Sequence, residues 1–212
     1  MKKKSRRKII SILLVLIVFV ILVGTYILLF HTYKGDPPGS LNYPQKDNVD
    51  VNDVISNARK LKGVFYDQLQ GSFNNIGGKS GFLVCCDIPN IAYAQAGFSF
   101  EKFLKDDFSS HPEHYNTRNG TNTPSTIFFY RRVENFYAYC KYNNKLIINC
   151  ESPKVGDLIF YGQSHVSLVS EVHSDGTINE IETNRGTIFV VEHVNKKWTN
   201  QTVGRVLDWQ AN

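Results

Sequence analysis

From Ile9 to Phe30 the chain runs 22 residues without a charged side chain. As a helix rising about 1.5 Å per residue, that stretch covers a hydrocarbon core about 30 Å thick. It is preceded by Lys2-Lys3-Lys4-Ser5-Arg6-Arg7-Lys8, and a basic cluster on one flank keeps that flank in the cytoplasm. A secretory signal offers a competing reading, but its apolar region is usually only about 7–15 residues long and ends in small residues. Here the run ends in Leu28-Leu29-Phe30-His31-Thr32-Tyr33, a poor cleavage site. The expectation is an uncleaved single-pass anchor over 9–30, a cytoplasmic stub over 1–8, and an extracytoplasmic remainder after about Tyr33.

This division changes the meaning of the net charge of +5. Residues 1–34 hold seven of the 24 Lys/Arg and no acid, which leaves 17 basic against 19 acidic residues beyond them. An outer domain near −2 lacks the basic excess of a polyanion binder, so no nucleic-acid partner is expected. The N-terminal cluster serves topology and contact with anionic lipid headgroups.

Residues 31–50, rich in Pro, Gly, Asn and Asp without apolar periodicity, read as a spacer. Residues 51–212 are enough for one domain with a core. Asp53 is placed to cap a helix bearing Val54, Ile55, Ala58, Leu61 and Val64. Gly71–Gly81 reads as an exposed loop and Lys105–Ser125 as a long polar one. Between them Ile88, Ile91, Ala92 and Ala96 share one face of a helix that Gly97 ends. Arg131–Tyr142 has an inward face of Val133, Phe136, Tyr137 and Cys140. From Asp157 the apolar period becomes that of strands: Asp157–Tyr161, His165–Val172, Thr177–Asn184, Thr187–Val194 and Val203–Trp209, with Asp175-Gly176 as a hairpin turn. Helices first and antiparallel strands last predict an α+β domain.

The chemistry centres on Val84-Cys85-Cys86-Asp87-Ile88-Pro89. Proline is tolerated in a helix only within the first turn, where backbone N–H groups have no helical partner. Cys85 therefore falls at or beside the N-cap, where the helix dipole favours thiolate over thiol. About seventy residues on, Gly162-Gln163-Ser164 leads into His165-Val166-Ser167-Leu168-Val169, which sets a histidine at the start of an apolar strand. A cysteine at a helix start with such a histidine downstream is the layout of a thiol hydrolase. Glu182 and Asn184 point to one face of the next strand, and either could orient the imidazole as the third member of a Cys-His-polar triad. Four cysteines outside a membrane also raise the question of disulfides. Cys85 and Cys86 are adjacent, so at least one is a free thiol, while Cys140 and Cys150 could pair.

With these residues in view, the chain resembles the NlpC-type and CHAP cell-wall peptidases, papain-like bacterial enzymes that cut amide bonds of peptidoglycan. The likeness rests on Cys85 twelve residues before Gly97, on Gly156-Asp157-Leu158-Ile159-Phe160, and on His165-Val166-Ser167-Leu168-Val169. Asp175-Gly176-Thr177-Ile178 through Glu182-Thr183-Asn184 is similar to the CHAP pattern, in which a Glu and an Asn two residues apart complete the site. A bacterial family of unknown function in that superfamily is closer still. It shares Cys-x-Asp at the helix start, a Tyr-Asp pair (here Tyr66-Asp67) and Arg-Arg-Val-x-Asn (here Arg131 to Asn135). That family tends to carry His-Asn where this chain has Thr183-Asn184, and the residue after the nucleophile is usually Ser or Thr where this chain has Cys86.

The resemblance covers about Val54 to Val194 and implies a papain-like fold and a membrane-anchored hydrolase of envelope amide bonds. It assigns Cys85 as nucleophile, His165 as proton relay and Glu182 or Asn184 as ring-orienting residue. Tyr66 is a candidate for oxyanion binding beside the Cys85 N–H. A non-catalytic envelope-binding module and a thioesterase or acyl transferase are the alternatives. Neither a metal nor a cofactor is expected: His111-Pro112-Glu113-His114 could share an ion but reads as solvated surface. Arg131 and Arg132 read as structural, fixing the cleft or pairing with Asp106 or Asp107.

Overall fold

The computed structural model describes residues 3–70 and 80–207. Contacts divide the chain into two units, 1–32 and 33–212. The first is one continuous helix, α1 (Lys3–Phe30). Lys8–Phe30 has mean hydropathy 3.2 and is not buried against protein, so by length and composition it can cross a membrane or serve as a signal sequence.

The second unit is a mixed α+β domain with a C-terminal antiparallel sheet, as the sequence predicts. A two-residue strand β1 (Tyr33–Lys34) opens it, followed by α2 (Val51–Lys60). Asp50 caps α2, its Oδ1 accepting from the Asn52 N–H at 2.8 Å, three residues before the Asp53 expected for that task. Val54, Ile55 and Ala58 form the buried side of α2. Next come β2 (Ser80–Gly81), paired with β1, and α3 (Asp87–Ala96). Of the expected loop Gly71–Gly81, residues 71–79 lie outside the described residues.

Helix α3 runs through the centre of the domain. Nine of its ten residues are buried, and burying Ile88 and Ile91 alone contributes about 1.5–3 kcal/mol each. Gly97 ends it at φ 108°, and a Cβ there would also meet the Lys46 side chain. Ser99 then caps α4 (Phe100–Ser110), accepting from the Lys102 N–H at 3.1 Å. This helix replaces the first part of the polar loop expected from Lys105. Its buried residues Phe100 and Leu104 lie largely ahead of that point, so the 105–110 stretch looks aperiodic by itself. Helix α5 (Val133–Tyr142) buries Val133, Phe136 and Cys140 as expected, with Tyr137 half-buried.

From residue 33 on, the segment expected as a spacer is part of this domain. The Glu101 carboxylate accepts from the Gly39 N–H at 2.5 Å and the Leu41 N–H at 3.1 Å, the Lys46 N–H donates to the Gly97 carbonyl, and Val49 is buried.

The strands β3 (Leu146–Ile147), β4 (Leu158–Tyr161), β5 (His165–Val172), β6 (Thr177–Glu182), β7 (Val191–Lys197) and β8 (Thr202–Gly204) form one sheet in the order β3-β8-β4-β5-β6-β7. All its pairings are antiparallel. Strand β5 matches the expected bounds. Strand β7 begins at Val191 where Thr187 was expected, because Asn184 to Thr187 close a turn through side-chain hydrogen bonds. Strand β8 ends at Gly204, and positions 208–209 of the strand expected there lie outside the described residues. Val166, Leu168 and Ile181 pack toward the helices in the main core, while Ile159, Val169 and Ile178 form a smaller cluster.

All four cysteines are free. Cys140 and Cys150 do not pair: the Cys140 sulfur sits where a Cβ on Gly204 would lie 2.7 Å away, and the Cys150 sulfur accepts from Arg205 at 3.8 Å.

Arg131 binds neither Asp106 nor Asp107. Its Nε and Nη2 donate to Asp87 at 2.8–3.1 Å, Nη1 donates to Asp67 at 3.2 Å, and Nη2 also reaches the Phe82 carbonyl. Arg131, Asp67 and Asp87 are all buried. Removing one partner of such a pair leaves an uncompensated buried charge and costs about 3–5 kcal/mol. Arg131→Met should lower stability by that amount in urea unfolding. Lys102→Met, which removes the exposed Lys102–Asp106 pair, should cost under about 0.5 kcal/mol.

Candidate active site

Cys85 stands in the turn that launches α3, one residue before the N-cap Cys86. The turn is closed from both ends. The Asp87 N–H donates to the Val84 carbonyl at 3.0 Å, and the Asp87 carboxylate accepts the Val84 N–H at 2.8 Å. With Arg131 gripping the same carboxylate, the Cys-x-Asp pattern becomes a clamp on the cysteine backbone. Cys85 remains half-buried while Cys86 is fully buried.

The sheet brings up the partners. Tyr161 pairs with His165 across the turn at Gly162, whose φ of 66° suits glycine, so His165 begins β5 at the sheet rim. Strand β6 runs antiparallel to β5 and ends at Glu182 beside it. The His165 Nε2 lies 2.5 Å from Glu182 Oε2, and the Cys85 thiol lies close enough to the imidazole for each to shift the other's ionisation. With Nε2 taken by the carboxylate, Nδ1 is the nitrogen available to sulfur. Three residues expected together from sequence are thus neighbours, with His165 hydrogen-bonded to Glu182.

Asn184 does not touch the ring. Its Nδ2 donates to both Glu182 oxygens at 3.0 and 3.1 Å, and its Oδ1 accepts the Gly186 and Thr187 N–H groups. It holds the carboxylate that holds the ring. His193, which sequence reading missed, also binds Glu182, with Nε2 to Oε1 at 2.8 Å. Its pairing opposite Glu180 across β6 and β7 depends on a register shift between Ile178 and Glu180 that no sequence pattern announces.

The electrostatics follow from these contacts. The adjacent Cys86 thiol, then the charge of His165 and the Val166 N–H, outweigh burial and hold the Cys85 thiol well below its ordinary range. Cys86 is pushed the other way, by the adjacent Cys85 and by burial, which favours its thiol form. Burial opposes the charged form of His165, but Cys85 and Glu182 outweigh it and raise the imidazole to about 9. Burial likewise opposes the Glu182 carboxylate, yet His165, His193 and Asn184 bring it down to about 2. These shifts favour a thiolate–imidazolium pair beside a carboxylate.

Cys85 and His165 open onto a cleft of about 650 Å³ whose lining includes Tyr66, Gln70, Phe128, Arg132 and Arg185. Tyr66 is anchored by its N–H to the Ile188 carbonyl at 2.6 Å, and its hydroxyl accepts from Gln70 at 2.8 Å. His111, Glu113 and His114 do lie close together, on a short 3-10 turn whose first two members are exposed, outside this lining. His114 stacks on Tyr142 with ring centroids 4.0 Å apart.

A family described as "Domain of unknown function (DUF1287)" matches residues 45–205, and the chain belongs to it. None of the curated proteins and none of the solved structures compared with the chain matches it.

The ionic arrangement sets a pH signature. Cys85 should react with iodoacetamide at pH 6, and its rate should show a first inflection far below that of an ordinary thiol, about 8.5. His165→Ala should move that inflection toward the ordinary value. Peptide mapping of the alkylated protein would decide the site: labelling of Cys86 ahead of Cys85 would count against it.

Proposed function

We propose that the domain is a cysteine hydrolase of papain-like type that cleaves amide bonds. The observation that carries this reading is the His165 ring held between the Cys85 thiol and the Glu182 carboxylate at the mouth of a cleft. A structural histidine needs no depressed thiol beside it, and a buried structural cysteine stays protonated. The likeness to NlpC-type and CHAP peptidases noted in the sequence supplies the substrate class, a peptide of the bacterial cell envelope, namely of peptidoglycan.

The chemistry runs on residues already in place. The Cys85 thiolate attacks the amide carbonyl carbon, and the carbon–oxygen double bond becomes an oxyanion. The Cys85 N–H is the donor proposed for that oxygen, with the Tyr66 hydroxyl as a second candidate. As the intermediate collapses, the carbon–nitrogen bond breaks and imidazolium Nδ1–H protonates the leaving amine. The neutral ring then takes a proton from water, which attacks the thioester and releases the acid and the Cys85 thiolate. Glu182 keeps the ring aligned and stabilises its charge throughout, with Asn184 and His193 holding Glu182 in turn. The Cys86 thiol, adjacent to Cys85, takes the place of the hydroxyl usual at that position.

The location follows from the apolar helix and its basic flank. As an uncleaved anchor with Lys2–Lys8 inside, α1 would set the domain on the outer side of the cytoplasmic membrane. Fractionation should find the chain in membranes with its C-terminus open to external protease. A soluble mature form beginning beyond Phe30 would contradict the anchor.

The enzymatic reading is tested by incubating the protein with muropeptides and weighing the products. A Cys-His pair acts as a unit, so Cys85→Ala and His165→Ala should each reduce turnover by about 10³ or more. Glu182→Ala should cost more than Asn184→Ala, because only Glu182 touches the imidazole. If Cys85→Ala kept full biological activity in the envelope, the domain would be a binding module.

A further inference from the structure

The cleft carries more positive charge than its own acids consume. Arg118 Nε is bound to Glu134 at 2.8 Å, which neutralises both. Arg131 is committed to Asp67 and Asp87. Among the described residues two further arginines line the cleft, Arg132 at the start of α5 and Arg185 on the exposed turn after β6. Their presence is a local feature, since the domain as a whole is slightly acidic.

Arg132 is also incompletely satisfied. Its guanidinium lies over the Phe128 ring, 5.9 Å from the centroid, while its Nη1 is buried and has no hydrogen-bond partner among the described residues. Leaving one buried donor unpaired costs about 1–3 kcal/mol, more when it is charged. Burial and the neighbouring Arg118 hold Arg132 below the usual guanidinium range, so the site is charged at a cost that an incoming anion would relieve.

We infer that Arg132 and Arg185 form a carboxylate-binding subsite, and that the substrate presents a free carboxylate beside the bond to be cut. A planar guanidinium pairs with a carboxylate through two parallel hydrogen bonds. The choice of carboxylate over other anions rests on the reading of the domain as an amide hydrolase, because the anionic group native to a peptide is a carboxylate.

The test needs no knowledge of the natural substrate. Iodoacetate and iodoacetamide both alkylate Cys85 by displacement of iodide, and they differ in a carboxylate against a neutral amide. The ratio of their rates, taken on the full-length protein at pH 7 and low salt, cancels changes in thiolate fraction between variants. Arg132→Gln should lower the iodoacetate-to-iodoacetamide ratio by roughly three- to fivefold, the scale of one partly exposed ion pair. Arg185→Gln, on an exposed turn where folding is not at stake, should lower it in the same direction. Acetate should suppress the wild-type preference more than inorganic phosphate at equal ionic strength. A ratio unmoved by both substitutions, or stronger suppression by phosphate, would overturn the carboxylate subsite and leave the hydrolase reading standing. A wild-type Cys85 inert to both reagents would overturn the hydrolase reading itself, and the subsite with it.

Discussion

A single buried guanidinium organises the domain. Arg131 reaches Asp87 at the start of α3, Asp67 in the preceding segment and the Phe82 carbonyl between them. Without it, the buried carboxylates of Asp67 and Asp87 would lose the charge that offsets them. The backbone there is set by Asp87, which fixes Val84 from the other side. Arg131 thus acts on the site through geometry and through charge, although it touches neither His165 nor Glu182. Its neighbour Arg132, on the next position of the chain, faces the cleft.

A second point of convergence lies on the sheet. Glu182 accepts from His165, His193 and Asn184, so one carboxylate joins the rim of β5, the end of β6 and the outer strand β7. A carboxylate with that many donors is held both in place and in charge state. The imidazole it orients can then swing little, and the thiol partner is met at a defined angle.

The local parts of this arrangement are legible in the sequence. Pro89 and Gly97 bracket α3, which places Cys85 at its entrance, and the apolar alternation after His165 marks β5 to the residue. The period-two rule puts Glu182 and Asn184 on one face, but it cannot say which of them meets the ring. That depends on where β6 ends and the Asn184 turn begins. The partners of Arg131 are 44 and 64 residues away, and no pattern in the chain singles out Asp67 and Asp87 over Asp106 and Asp107. Helix α4 was hidden because its apolar stripe begins at Phe100, ahead of the polar run that dominates the segment. Residues 31–50 look like a spacer because their hold on the domain is made of main-chain N–H groups meeting Glu101, and backbone donors leave no trace in composition.

The strand order also decides what the molecule avoids. An antiparallel sheet that does not close leaves two rims with unsatisfied backbone groups, each a template for another chain. At one rim stands β3, only two residues long. At the other, β7 ends in Asn195 at φ 55°, Lys196 and Lys197, so its backbone leaves the extended form just where side-chain charge accumulates. Were α1 to hold the domain at the two-dimensional surface of a membrane, encounters between copies would be frequent. A blunted rim keeps such encounters from ending in intermolecular strand pairing.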